Sequence, residues 1–246
     1  MSKRKTGGGT VEFIKTVLYA VVIAVVFRTL AFEPFNIPSG SMVPTLLIGD
    51  YVLVSKFSYG YSRYSMPFGP DLFSGRIFYS KPRRGDVAVF RLPRDPSIDY
   101  IKRIVGLPGD TVQMKGGQLY INGTEVKRVA DGHYLYSGDG PPVEALRYTE
   151  TLPGGVSHPI LKFGNNEPLD NTPAYKVPPG DVFAMGDNRD DSEDSRVMSA
   201  VGFIPITNLV GRADLVFFSA RPMAPWWEFW YWPFEIRWGR LLTVIH

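Results

Sequence analysis

The stretch N-I-P-S-G-S-M-V-P-T-L-L-I-G-D, Asn36 to Asp50, runs directly into Y-V-L-V-S-K-F, Tyr51 to Phe57. The second run is rich in β-branched and aromatic residues and predicts a strand. In the first, Pro38 and Pro44 fix φ on either side of Ser39-Gly40-Ser41. Gly40 lets the backbone turn tightly and approach another group closely. The expectation is a short rigid loop with an exposed hydroxyl, set just before a strand. Any β protein contains Ser/Gly/Pro turns, so these residues alone leave a structural turn and a nucleophile both open.

The same turn chemistry recurs outward from this point. Gly-Asp introduces a predicted strand four times, before Tyr51–Phe57, Val87–Arg91, Thr111–Met114 and Val182–Met185. The spacings are irregular, which excludes a repeat array. Leu119 to Val126 reads as a hairpin, with Asn122-Gly123 supplying the φ > 0 positions. Asn122-Gly123-Thr124 also fits a glycosylation sequon, but the hairpin reading is preferred. With 25 Gly and 21 Pro spread along 246 residues, short strands and many turns are expected rather than a helical bundle. Residues 58–84 read as a long loop or hairpin, and residues 130–174 as irregular.

Before the loop, Val11 to Phe32 is mostly apolar. Its charge-free core, Thr16 to Phe27, is shorter than the ~20 residues a full span needs. A cleavable signal-peptide h-region or a buried helix is the alternative; against cleavage, no small-x-small site follows. Lys15 and Arg28 can snorkel from the ends and extend the span. An uncleaved membrane anchor is expected. Lys3, Arg4, Lys5 and Lys15 precede the core, which places the N-terminus on the cytoplasmic side and the rest on the other. The Asn36–Asp50 loop then lies close to the bilayer surface.

Composition removes other chemistries. There is no cysteine, so disulfides and thiolate nucleophiles are excluded. The three histidines, His133, His158 and His246, show no zinc-hydrolase spacing and read as surface or structural. The acidic run Gly186 to Arg196 lacks the glycine and spacing of an EF-hand; no metal or cofactor is expected. A net charge of +3 gives no case for nucleic acid. A serine nucleophile still needs a base. A lysine made neutral by burial can serve, whereas Arg103 cannot, since guanidinium does not deprotonate. Lys102, sharing a strand face with Tyr100 and Ile104, and Lys56, close to Ser41 in sequence, are both candidates.

Three boxes in order carry a resemblance: P-S-G-S-M-x-P-T-L (Pro38–Leu46), D-Y-I-K-R-I-V-G-L-P-G-D (Asp99–Asp110) and G-D-N-R-D-D-S-E-D-S-R (Gly186–Arg196). Together they resemble those of bacterial type I signal peptidases, membrane-bound Ser/Lys proteases, from about Val11 to about Ser219. The resemblance implies Ser41 as nucleophile, Lys102 rather than Lys56 as base, and Ser39 with the Ser41 N–H as oxyanion hole. It matches Ser192 to a serine that orients the lysine amine, and Asp194 and Arg196 to a supporting ion pair that Arg103 joins. Asp191 stands where other members often have Asn. The implied substrates are signal-peptide-bearing preproteins with small residues at −1 and −3, cleaved beside the export machinery. An extended peptide would pair with a strand edge; Ile37, Met42 and Ile101 are the candidate pocket residues.

The implied fold is mainly β: a signal-peptidase-like catalytic domain with an inserted small β domain, preceded by one transmembrane helix. The expected divisions are a basic cytoplasmic tail (1–10), an anchor (11–32), a catalytic β domain (33–114 and 176–221), an inserted β cap (115–175) and a tail (222–246). All five tryptophans fall between Trp226 and Trp238. Trp and Tyr favour the bilayer interface, so membrane-surface docking is preferred over a protein-protein patch. The competing functions are a specialised Ser/Lys peptidase of conjugation or pilus assembly, a self-cleaving repressor of the SOS type and an inactive membrane-tethered binding module. No helix-turn-helix is present to support the repressor.

Overall fold

The computed structural model describes residues 8–66, 73–138, 140–221 and 226–246. Parts of the predicted basic tail, of the 58–84 loop and of the Trp-rich tail lie outside these residues. Helix α1, Gly8–Leu30, carries exposed apolar side chains on all sides, among them Phe13, Leu18, Ile23 and Phe27. Such a surface is stable in lipid rather than water. Its Val11–Leu30 stretch is 20 residues long, about 30 Å at ~1.5 Å per residue, enough to cross a hydrocarbon core. The helix stops short of the expected boundary at residue 32, where Phe32 already belongs to a strand. Pro34 disfavours helical geometry at Glu33, and Arg28 closes the corner on Glu33 at 2.9 Å.

Strands follow in the order β1 (Phe32–Asn36), β2 (Asp50–Ser55), β3 (Val87–Arg91), β4 (Asp99–Gly106), β5 (Thr111–Lys115), β6 (Gln118–Ile121), β7 (Thr124–Glu125) and β8 (Lys127–Tyr136). Then come β9 (Val143–Thr151), β10 (Ser157–Lys162), β11 (Tyr175–Lys176), β12 (Asp181–Met185), β13 (Ile204–Pro205), β14 (Leu209–Ser219) and β15 (Thr243–Val244). The main sheet runs β1-β2-β14-β3-β4-β12-β13, with β15 added beside β14. It curls, because β1 and β4 line the same cleft although three strands separate them. The loop between β1 and β2 is the Ser39–Ser41 segment, closed by Ile37 N–H to Asp50 O at 2.8 Å.

Two smaller sheets, β11-β5-β6-β7 and β10-β9-β8, complete the β structure. The Asn122-Gly123 hairpin is present, with φ of 54° and 77° at the turn. Residues 130–174 are more regular than the sequence implies, since β8 and β9 form a long ladder there. A register shift between Ala130 and His133 breaks the alternation. Gly132 takes φ of 97° within it, so a period-2 pattern is not readable across the bulge. After β14 the chain returns, bridging Ala220 to Ile236 and pairing β15 with β14.

The core divides into packed clusters beneath these sheets. One joins β2, β3 and β14 to Ile37, Met42 and Leu46 of the loop. Another centres on Phe183, stacked on Tyr175 at 5.6 Å and edge-on to Phe203 at 6.2 Å. Phe183→Ala is expected to destabilise the fold by ~3–5 kcal/mol through the cavity it leaves. Thermal unfolding of the detergent-solubilised protein would show the drop.

Candidate active site

The β1–β2 loop folds under the Gly186–Arg196 segment and is held there by backbone contacts. Asn188 N–H donates to Ser41 O at 3.1 Å, and the Asn188 amide donates to Gly40 O at 3.2 Å. A Cβ at Gly186 would collide with Ser192 and Ser41 O, so only glycine permits this approach. Gly40 is equally constrained: a Cβ there would strike the Tyr136 hydroxyl. Tyr136, at the end of β8, donates that hydroxyl to Asp191 and packs against Phe163. The expected exposed hydroxyl is largely enclosed, with Ser41 only 7% accessible while Ser39 is open.

Lys102 reaches this loop from β4. Its Nζ lies 2.5 Å from Ser41 Oγ. The side chain is buried, and burial lowers its pKa from 10.5 to about 8, despite opposing pulls from Asp194, Asp187 and Glu193. Those carboxylates are committed elsewhere. Arg103 holds Asp187 in a two-point pair at 2.8 Å, and Arg196 holds Asp194 at 2.8 Å through Nε and Nη2. Burial opposes ionisation of both carboxyls, but the arginines outweigh it and hold both below their ordinary range. Thr45 Oγ1 donates to Asp187 Oδ2 at 2.5 Å, which ties the loop to this network.

The second lysine goes elsewhere. Lys56 Nζ bonds Ser65 O at 2.6 Å and Glu33 at 2.8 Å. Ser192 Oγ donates to Asp194 Oδ2 at 2.9 Å; no hydrogen bond joins it to Lys102 among the described residues. Asp194 therefore stands between it and the amine. Ser39 Oγ lies 3.4 Å from Ser41 Oγ. The Ser41 N–H has no acceptor among the described residues and remains available to a ligand.

Ile37 and Ile101 line the cleft beside the serines. Met42 does not: it is fully buried in the core cluster under the loop and supports it from below. The cleft measures about 1120 Å³, above the ~300–1,000 Å³ usual for small-molecule sites, and suits a peptide segment. His158 is buried between Glu150 and Asp187, 3.5 and 3.7 Å away. Burial lowers its pKa to about 4, so it stays neutral. His133 pairs with Glu144 on the surface. Sequence reasoning gave no role to Asp187, Thr45, Asn188 or Tyr136. The Arg103–Asp187 pair joins residues 84 apart, and nothing in the local pattern couples them.

The chain matches the family described as "Signal peptidase, peptidase S26" over residues 10–218. The signal peptidase I of Rickettsia typhi is 43% identical over 218 residues, covering 85% of this chain and 80% of that protein. The signal peptidase I of Rickettsia canadensis is 41% identical over 235 residues, covering 92% and 86%. A crystal structure of a signal peptidase I from Enterococcus faecalis is 28% identical with a TM-score of 0.32, covering 54% of this chain and 97% of that one. The chain belongs to the signal peptidase family, peptidase S26, and is a membrane-associated serine peptidase that cleaves signal peptides from preproteins.

Proposed function

We propose that Ser41 is the nucleophile and Lys102 the general base of this peptidase. The observation that carries the reading is the 2.5 Å approach of a buried amine to Ser41 Oγ. Neutral Lys102 takes the proton of Ser41 Oγ as that oxygen attacks the scissile carbonyl. The oxyanion forms between the Ser41 N–H and the Ser39 hydroxyl. The Lys102 ammonium returns its proton to the departing amine. A water then releases the acyl chain from Ser41, with Lys102 again as base. Asp194–Arg196 and Ser192 fix the surroundings of the amine, and Arg103 does so through Asp187.

The substrate is an extended segment ending in a small-x-small site. β1 is an edge strand, and β12 pairs only with the Arg103–Gly106 half of β4, which leaves the Asp99–Lys102 half open on that side. A peptide lying between these edges pairs with backbone groups, while Ile37 and Ile101 offer shallow apolar contacts to small side chains. Helix α1 anchors the protein in a single pass with its N-terminus cytoplasmic, and the catalytic domain stands on the extracytoplasmic side of the inner membrane. Exposed Trp227, Trp230, Phe234 and Trp238 supply a second contact with the bilayer surface. Preproteins arrive from the export machinery with the signal segment still in lipid.

Ser41→Ala and Lys102→Ala are each expected to lower kcat/KM on an Ala-x-Ala preprotein by at least ~10³-fold, with thermal unfolding unchanged; normal turnover by either rejects the assignment. Because the reactive form is the neutral amine, kcat/KM should rise about tenfold per pH unit below about 8 and level off above it. A profile flat between pH 6 and 9 would contradict a lysine base. Gly40→Ala is expected to cut kcat at least ~10-fold, because displacing the turn from Tyr136 moves Ser41 relative to Lys102.

A further inference from the structure

The family match ends at residue 218, yet the following segment makes the densest polar contacts to the nucleophile loop. Asp50, at the loop's end, is fully buried. It receives Arg240 through Nε at 3.1 Å and Nη2 at 2.5 Å, the Ser219 hydroxyl at 2.6 Å and the Leu47 N–H at 2.8 Å. Arg240 Nη2 also donates to Thr45 O at 2.9 Å, inside the loop. Arg237 donates to Ile48 O at 2.9 Å. One guanidinium thus joins the loop's middle to its end, with Nε and Nη2 forked on the Asp50 carboxylate and Nη2 shared with Thr45 O.

The same segment touches the other side of the site. Arg103, the residue after Lys102, donates Nη1 to the His246 carbonyl oxygen at 2.7 Å. Arg103 pairs with Asp187, and Asp187 accepts from Thr45. The contacts close a ring: Arg240, Thr45, Asp187, Arg103, His246. Ile245 packs on the core cluster that holds Met42 and Leu46, and its N–H donates to Asp214 O at 2.9 Å, which fixes the segment to β14.

We propose that residues 236–246 form a strap that sets the distance between Ser41 and Lys102, with Arg240 as its positioning residue. This rests on the Ser41/Lys102 reading. Arg240 touches neither the reacting atoms nor the cleft lining. Without it, Asp50 keeps Ser219, Leu47 N–H and a weaker approach of Arg237 at 3.8 Å. The loop therefore stays folded but loses its main-chain anchor at Thr45 O, leaving only the Thr45 hydroxyl on Asp187 there, and the error is passed to Ser41. Displacements of about 1 Å at a reacting pair cost up to ~10²-fold in rate.

The test compares full-length wild type, Arg240→Ala and Arg240→Lys in detergent, with a synthetic Ala-x-Ala preprotein, measuring kcat, KM and thermal unfolding. Arg240→Ala should lower kcat per folded molecule about 10- to 100-fold with KM within about twofold, alongside a lower unfolding midpoint because the buried Asp50 loses its closest charge partner. Arg240→Lys should fall between that and wild type, since an ammonium restores the charge at Asp50 but not the fork. If Arg240→Ala fails to fold, Arg240→Lys alone decides: a reduced kcat at constant KM supports the strap, and a wild-type kcat overturns it. Wild-type kcat in both variants, or losses that track only the folded fraction, also overturns it. Ser41→Ala and Lys102→Ala in the same assay separate the two readings. If both are inert while Arg240→Ala is normal, only the strap falls; if either turns over, the dyad falls.

Discussion

A lysine amine can act as a base at moderate pH only where its charged form is disfavoured, and at Lys102 the exclusion of water does most of this. Bringing the Lys102 pKa from 10.5 to about 8 corresponds to roughly 3 kcal/mol of disfavour for the charged form. Burial supplies it. Nearby Asp194 and Asp187 oppose it, because each favours an ammonium. Arg196 offsets Asp194 at the amine and Arg103 takes up Asp187, so the remaining pull of the carboxylates is smaller than the effect of burial. A buried pair contributes little to stability by itself. Here the pairs give loop and strand hydrogen-bonding partners beside the Lys102 amine.

The curl of the main sheet turns this chemistry into a peptide-cutting cleft. Strand β4 carries Lys102 and β1 leads into the serine loop, yet β2, β14 and β3 lie between them in the sheet. Only a twisted, curling sheet brings the two to one opening. The smaller sheet β10-β9-β8 then reaches back through Tyr136, which rests on Gly40 and bonds Asp191. The serine turn is thus covered on one side by one sheet and supported below by the core of another.

Much of this was legible in the chain. The Gly-Asp turns marked strand starts at β2, β3, β5 and β12 because glycine at positive φ is a backbone requirement that composition reveals. The three boxes located the loop, the strand and the acidic segment that meet at the cleft. The remainder failed for identifiable reasons. Met42 looked like a pocket residue because a loop apolar side chain can face either way, and here it faces the core. The β8–β9 ladder was hidden by its bulge. The Arg103–Asp187 and Tyr136–Asp191 contacts depend on tertiary placement alone, which no local pattern encodes. The Trp-rich stretch read as one unit, but the structure divides its surroundings into exposed aromatics and a return to β14.

The separations along the chain have a consequence for how the molecule comes into being. Ser41 meets Lys102 61 residues later, and Thr45 meets Asp187 142 residues later. During synthesis the apolar helix and the serine turn emerge first, while the groups that desolvate the amine are still inside the ribosome. Until the later strands close over it, Lys102 is a solvated ammonium and Ser41 an ordinary alcohol. On the proposed pairing of Ser41 with Lys102, competence arrives as a property of the finished tertiary structure.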